Sequence, residues 1–368
     1  MRRASRILAV ATAIAGAFAV GLALHPGRRD HGTTSVVQQV RSELATRYYR
    51  RVPADVLRLR SVSEMIAALD DPYTRLLDPA SFRLFRRETT GSYSGVGLTL
   101  LPGSAGLLVT RTQPGPARIA GVRPGDTVLA VDGASTARLS YEQALGRILG
   151  REGSPVRLTV LRGDRTLHVR LVRVRFATPG VQTRVLTVAG TRIGYVSIAA
   201  FTLGTVQTVD QALAEVKRAG ARSLVLDLRG NPGGLLDQAV AVSSLFLDRG
   251  VVVSTRGAHL PPRSYQASGR VKCHLPLVVL VDRGSASAAE VVAAALRDHG
   301  RAKLVGESTF GKALVQSIEP LGGGAALKLT VARYLTPAGT DISRGGVRPD
   351  IRSRHPLATA LRVLAARR

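Results

Sequence analysis

After Thr191 the chain alternates uninterrupted apolar runs with stretches of helical periodicity, an order that few architectures accommodate. Residues 222–228 read as a strand, 234–247 as a helix and 251–254 as a strand. Residues 275–282, 288–299 and 303–306 then repeat strand, helix, strand. Apolar runs without polar alternation are buried on both faces, so the pattern predicts an α/β core whose mainly parallel sheet is covered by crossover helices. In such a sheet the loops leaving successive strands emerge on one edge, where ligands of open α/β sheets bind.

The rest of the chain divides by pattern. Residues 35–90 are helical, with Val36, Val37, Val40, Leu44 and Tyr48 spaced at three and four, then Val62, Met65, Ile66 and Leu69 before the stop at Asp70-Asp71-Pro72-Tyr73. Residues 91–175 change to short β runs at 97–101, 107–110, 127–131, 156–161 and 167–172. Gly and Pro turns separate them and one helix, 140–149, interrupts them, so this is an inserted α+β module of about 85 residues. Residues 176–368 form the core. The first residues, Met1-Arg2-Arg3-Ala4-Ser5-Arg6, precede an uncharged apolar run over 7–24 that ends at His25-Pro26-Gly27-Arg28-Arg29. Residues 1–34 thus read as an export signal, placing the protein outside the cytoplasm. An eighteen-residue run spans about 27 Å as a helix, which leaves both cleavage (near Ala17-Phe18-Ala19 or Ala23) and retention as a single membrane anchor open.

Composition narrows the function classes. The net charge of +27 suits a polyanion, but only 4% of residues are aromatic and Trp is absent, so stacking platforms for single-stranded nucleic acid are scarce. The basic residues are scattered, and a solvated surface is the plainer reading than a nucleic-acid partner. A 45% hydrophobic content supports packed cores, and the single cysteine, Cys273, permits no internal disulfide.

Three loops converge on the sheet edge: Gly230-Asn231-Pro232-Gly233-Gly234, Gly284-Ser285-Ala286-Ser287-Ala288 and Glu307-Ser308-Thr309-Phe310-Gly311-Lys312. A helix carrying the chain about 18 Å away and an extended return of about 20 Å bring Ser287 and Lys312 together. Ser287 sits where strand turns to helix, beside the unpaired N–H of Ala288, as an acyl-transfer nucleophile requires. Lys312 is one of five lysines among 52 basic residues. It lies between Phe310 and Leu314, where burial would keep its amine neutral and able to act as a base, which arginine could not do. Backbone N–H groups of the glycine loop and of Ala288 are placed to hold an oxyanion. Taken singly these are an N-cap serine, a turn and a surface lysine; their conjunction carries the reading. Residues Gly306 to Ala313 fall one residue short of a phosphate-binding loop: Ala313 cannot bind magnesium, and Leu314-Val315-Gln316-Ser317-Ile318 looks extended where a helix is required. No cofactor or metal is expected.

These residues resemble the C-terminal processing (tail-specific) peptidases, serine endopeptidases with an inserted PDZ domain. The resemblance is carried by Leu69-Asp70-Asp71-Pro72-Tyr73-Thr74, Tyr93-Ser94-Gly95-Val96-Gly97-Leu98, Asp227-Leu228-Arg229-Gly230-Asn231-Pro232-Gly233-Gly234 and Ser285-Ala286-Ser287-Ala288-Ala289-Glu290. Asp298-His299-Gly300-Arg301, Thr309-Phe310-Gly311-Lys312 and Ala332-Arg333-Tyr334-Leu335-Thr336-Pro337-Ala338-Gly339 complete it. It implies Ser287 as nucleophile, Lys312 as general base, Gln316 as the accessory polar group and Gly233 with Ala288 as the oxyanion hole. Asp298 occupies another position discussed as catalytic in the family, although the far end of its helix favours a capping role. Gly230 and Ala289 depart from residues common in relatives, Asn and Ser, and neither removes a reacting group.

The module over 91–175 resembles the PDZ domain, with Gly95, Val96, Gly97 and Leu98 receiving a substrate's C-terminal carboxylate and the 140–149 helix as groove wall. The implied partners are peptides with exposed C-termini; oligomeric state stays open. The competing reading is a catalytically inactive, PDZ-containing peptide-binding adaptor, against which the intact Ser287, Lys312 and glycine loop argue.

Overall fold

The computed structural model describes residues 19–20, 35–90, 92–139, 141–177, 180–343 and 345–366. Apart from Ala19–Val20, the apolar run assigned to export or anchoring lies outside them. Among the described residues no helix is long and apolar enough to cross a membrane. The described residues form two compact units: one of those within 1–76, 179–322 and 327–368, the other of those within 77–178 and 323–326.

The larger unit is built on a six-stranded sheet in the order Val181–Val188, Thr191–Ile198, Ser223–Asp227, Leu277–Val281, Lys303–Gly306, Ile351–Arg352. The first pair is antiparallel and every later pair parallel. All residues of Ser223–Asp227 and Leu277–Val281 are buried because helices cover both faces. Val225, Val278, Leu280 and Val305 share one cluster with Ala360 and Leu364 of the helix Pro356–Ala365. Leu224, Leu226, Val279, Val281 and Leu304 point the other way, into a core shared with the helices Thr205–Arg218 and Ala288–Asp298. This period of two is the pleat of the strands.

A second sheet in this unit contains Leu314–Pro320, Ala326–Leu335, Val251–Arg256 and Arg263–Gln266. Two expectations change here. The strand at 251 pairs antiparallel with Ala326–Leu335, outside the parallel sheet. The helix expected from Gly234 begins at Leu236, because Gly234–Leu235 runs extended and bridges Phe201. Gly234 has φ 138°, and a Cβ there would stand 2.1 Å from the Phe201 carbonyl oxygen, so no other residue fits this approach. Leu314–Pro320 is a strand, as its sequence suggested.

The smaller unit holds an antiparallel sheet, Leu98–Pro102, Leu107–Thr112, Thr127–Val131, Pro155–Arg162 and Arg165–Val172 in that order. Val96, Leu100, Val109, Val128, Leu158 and Ile148 form its core, and the helix Tyr141–Ile148 covers one face. A separate ladder of Ser92–Gly95 with Val174–Ala177 brings together the two ends of the segment. Arg173 is nearly buried and donates to the carbonyls of Ile148, Pro155 and Arg147. Burial holds its pKa down, yet a guanidinium with carbonyl acceptors on several sides stays charged. The helix Pro79–Thr90 belongs to this unit and meets Tyr141–Ile148 at Gly146, where a Cβ would lie 2.7 Å from that of Ala80.

Candidate active site

The loops following Ser223–Asp227, Leu277–Val281 and Lys303–Gly306 meet at one sheet edge, stitched together by hydrogen bonds. Gly230 N–H donates to Asp282 Oδ1 (2.8 Å) and Ser285 Oγ–H to the Leu228 carbonyl (2.7 Å). Ala286 N–H donates to the Asn231 carbonyl and Phe310 N–H to that of Ser285, both at 2.9 Å. Asn231, fully buried, donates from Nδ2 to the Ile198 carbonyl and accepts Gly233 N–H on Oδ1, each at 2.8 Å.

Ser287 opens the helix Ala288–Asp298 with φ 55° and ψ −115°, a left-handed conformation costly for a residue with a Cβ. Glu290 holds it there. One oxygen of this fully buried carboxylate, Oε2, accepts both Ser287 N–H (2.7 Å) and Lys312 N–H (2.9 Å). The other, Oε1, accepts the Thr309 hydroxyl (2.5 Å) and Gly311 N–H (2.7 Å). Burial raises the Glu290 pKa, and the four donors oppose that rise by favouring the anion. Serine and lysine, twenty-five positions apart, therefore hang on a single carboxylate oxygen.

The Lys312 side chain is 1% exposed and its amine lies 4.7 Å from the centre of the Tyr73 ring. Its pKa falls from 10.5 to about 6, first through burial and then through the positive charges of Lys328 and Arg75; Asp71 and Glu290 pull the other way. A lysine in this state is mostly neutral at pH 7 and has a lone pair to accept a proton. Ser287 Oγ, Lys312 Nζ, both polar atoms of the Gln316 side chain and the Tyr334 hydroxyl are buried without a hydrogen-bond partner among the described residues. Native cores seldom leave such groups unpaired, and a cluster of them marks a place kept for chemistry.

The remaining expected residues fall as follows. The Gly233 N–H is taken by Asn231, which corrects its assignment as an oxyanion donor: that hydrogen is not free. Ala288, first in its helix, has an N–H that no preceding turn can accept. Asp298 ends the same helix, about 15 Å from Ala288 at 1.5 Å per residue. There it accepts Ala338 N–H and pairs with Arg297, so the structure does not bring it to Ser287. In the smaller unit the Val96 and Gly97 carbonyls accept from Ala117 and Gln113, and Gly97 has φ 83°. Leu98 then begins the sheet.

One further backbone segment lies at the site. Ala19–Val20 forms a strand parallel to both Gly234–Leu235 and Leu314–Pro320, with Ala19 opposite Gly234 and Val20 opposite Leu235 and Gln316. An extended segment can thus complete the sheet between the glycine loop and Gln316.

Residues 192–353 match peptidase family S41, and residues 108–162 match a PDZ domain. Over 295 residues the chain is 41% identical to the carboxyl-terminal-processing protease of Picosynechococcus sp., covering 79% of this chain and 71% of that protein. The chain belongs to the carboxyl-terminal-processing proteases. It is accordingly a serine-type peptidase with an α/β core and a PDZ domain. The carboxy-terminal processing protease CtpA of Bacillus subtilis is 33% identical over 321 residues, which cover 87% of this chain and 68% of that one. Among solved structures, the photosystem II D1 C-terminal processing protease aligns with a TM-score of 0.57 at 32% identity, covering 89% of this chain and 96% of the other.

For a protease of this family, sequence reasoning missed three residues at the site. Glu290 carried a visible signal, the Ser-x-x-Glu spacing of a helix start. Tyr73 and Tyr334 stood inside recognised motifs, but no local rule points their rings at a lysine or a serine more than two hundred or about fifty positions away.

Proposed function

We propose that this protease is exported, captures substrates by their C-terminal tails through its PDZ domain, and cleaves them with Ser287 as nucleophile and Lys312 as general base. The observation that carries the reading is the buried Lys312 amine, with its pKa near 6, on a residue whose backbone N–H shares one Glu290 oxygen with the backbone N–H of Ser287. The neutral amine takes the proton of Ser287 Oγ as that oxygen attacks the peptide carbonyl. Lys312 then protonates the leaving amine, and water attacks the acyl-enzyme with the lysine again as base. Neither the Gln316 side chain nor the lysine amine has a hydrogen-bond partner among the described residues, and Gln316 orients the amine once substrate is bound. With the Gly233 N–H engaged, the N–H groups of Gly234 and Ala288 receive the developing oxyanion.

Substrate backbone enters as an added strand, in the position between Gly234–Leu235 and Gln316 that Ala19–Val20 illustrates. The PDZ domain receives the tail carboxylate at Gly95, Val96, Gly97 and Leu98. Export, with cleavage or retention of the apolar stretch, rests on the order of charges and apolar residues in 1–29. The decisive experiment incubates an unfolded, apolar-tailed substrate with the wild type, Ser287→Ala and Lys312→Ala. Cleavage by the wild type alone, with both variants folded, is expected; undiminished proteolysis by both variants would overturn the mechanism.

A further inference from the structure

The ring of Tyr334 is almost completely buried, and its hydroxyl has no hydrogen-bond partner among the described residues. Its backbone N–H donates to the carbonyl of Ala313 at 2.8 Å, which fixes the residue one position away from Lys312 along the neighbouring chain. On its other side, Tyr334 pairs with Thr255 in the sheet, so the ring cannot drift without breaking two strands. Burial pushes the phenol pKa well above its ordinary value, and the nearby Ser287 side chain opposes that rise. The phenol therefore stays protonated throughout the working range of pH, and Ser287 Oγ, like the phenol oxygen, is buried without a partner among the described residues.

We propose that the Tyr334 hydroxyl is a catalytic hydrogen-bond donor to Ser287 Oγ, stabilising the negative charge that this oxygen carries as it attacks and as it leaves. The inference rests on Ser287 being the nucleophile. In acylation the Oγ proton passes to Lys312 Nζ while the new O–C bond forms; in deacylation that bond breaks and Lys312 returns a proton to Oγ. The phenol proton remains on Tyr334 in both steps, so the residue contributes a donor and no proton transfer. A donor to Oγ also leaves the serine's own hydrogen free to point at the lysine. A buried hydroxyl without a partner lowers stability, and a site that keeps one in the resting enzyme has a use for it when charge develops.

The test is Tyr334→Phe in the full chain, which removes one oxygen and leaves the packing. A donor role predicts a kcat for a tailed peptide lower by on the order of 10²-fold, an unchanged KM and an unfolding temperature no lower than wild type. The rate at which a fluorophosphonate labels Ser287 should fall by a similar factor. A purely structural role predicts the opposite pattern: lower stability with wild-type kcat in the folded fraction, and that result overturns the proposal. Should Tyr334→Phe not fold, 3-fluorotyrosine placed at position 334 keeps the shape and strengthens the donor. Faster labelling supports the role, and an unchanged rate overturns it. Absence of labelling in the wild type would instead refute Ser287 as nucleophile, so the two failures are distinguishable.

Discussion

A lysine that must be neutral to work is a liability to the fold, and this trade-off makes Lys312 testable in two ways. With its pKa near 6, the fraction of active base rises as pH climbs through that value, so kcat/KM should show an acid limb near pH 6. A limb set by an ordinary lysine near 10.5 would contradict the assignment. Stability follows the same residue. Between about 6 and 10.5 the unfolded chain binds the proton that the folded chain rejects, so unfolding free energy increases with pH across this window. Lys312→Met should therefore be inactive yet more stable at neutral pH, by several degrees in thermal unfolding, with an advantage that shrinks as pH approaches 10.5. Glu290 behaves oppositely. Glu290→Gln cannot accept the four donors and should lose at least about 2 kcal/mol in denaturant titration, together with most activity. A variant with full stability and rate would show that the shared oxygen is dispensable.

At the scale of elements, the glycine loop and the two sheets decide where these residues stand. Gly234→Ala places a methyl carbon 2.1 Å from the Phe201 oxygen at a φ of 138°. We expect a destabilisation of about 1–3 kcal/mol and loss of peptide cleavage, measured by urea unfolding and single-turnover assay. Wild-type turnover would remove Gly234 from the oxyanion hole. The parallel sheet was legible in the sequence because Ser223–Asp227 and Leu277–Val281 are buried on both faces and are apolar except at Ser223 and Asp227, the two ends of the first. The second sheet was harder to see for the same physical reason read backwards. In it, Ala326–Leu335 buries Lys328 and Thr330, residues that break an apolar pattern. Ser287 and Lys312 are visible as unusual residue types at a strand edge, whereas Glu290, Tyr73 and Tyr334 come to the site only when distant segments meet.

At the scale of the whole molecule, a net charge of +27 would favour substrates through their carboxylates wherever these lie, while a PDZ domain reads only the terminal one. Chemistry at the tail separates the two. A peptide ending in an amide loses one negative charge and the group that Gly95, Val96, Gly97 and Leu98 are expected to receive, yet its scissile bond is unchanged. If tails are captured by the PDZ domain, amidation should raise KM at least about tenfold and leave kcat alone, since the missing interaction binds ground and transition states equally. Moving the same charge to an internal aspartate should not restore affinity. General attraction to a basic surface predicts that the internal aspartate does restore it, and that raising the salt abolishes the difference between all three peptides. Steady-state kinetics of the three at two ionic strengths therefore assigns tail recognition either to one loop of the smaller unit or to the charge spread over the chain.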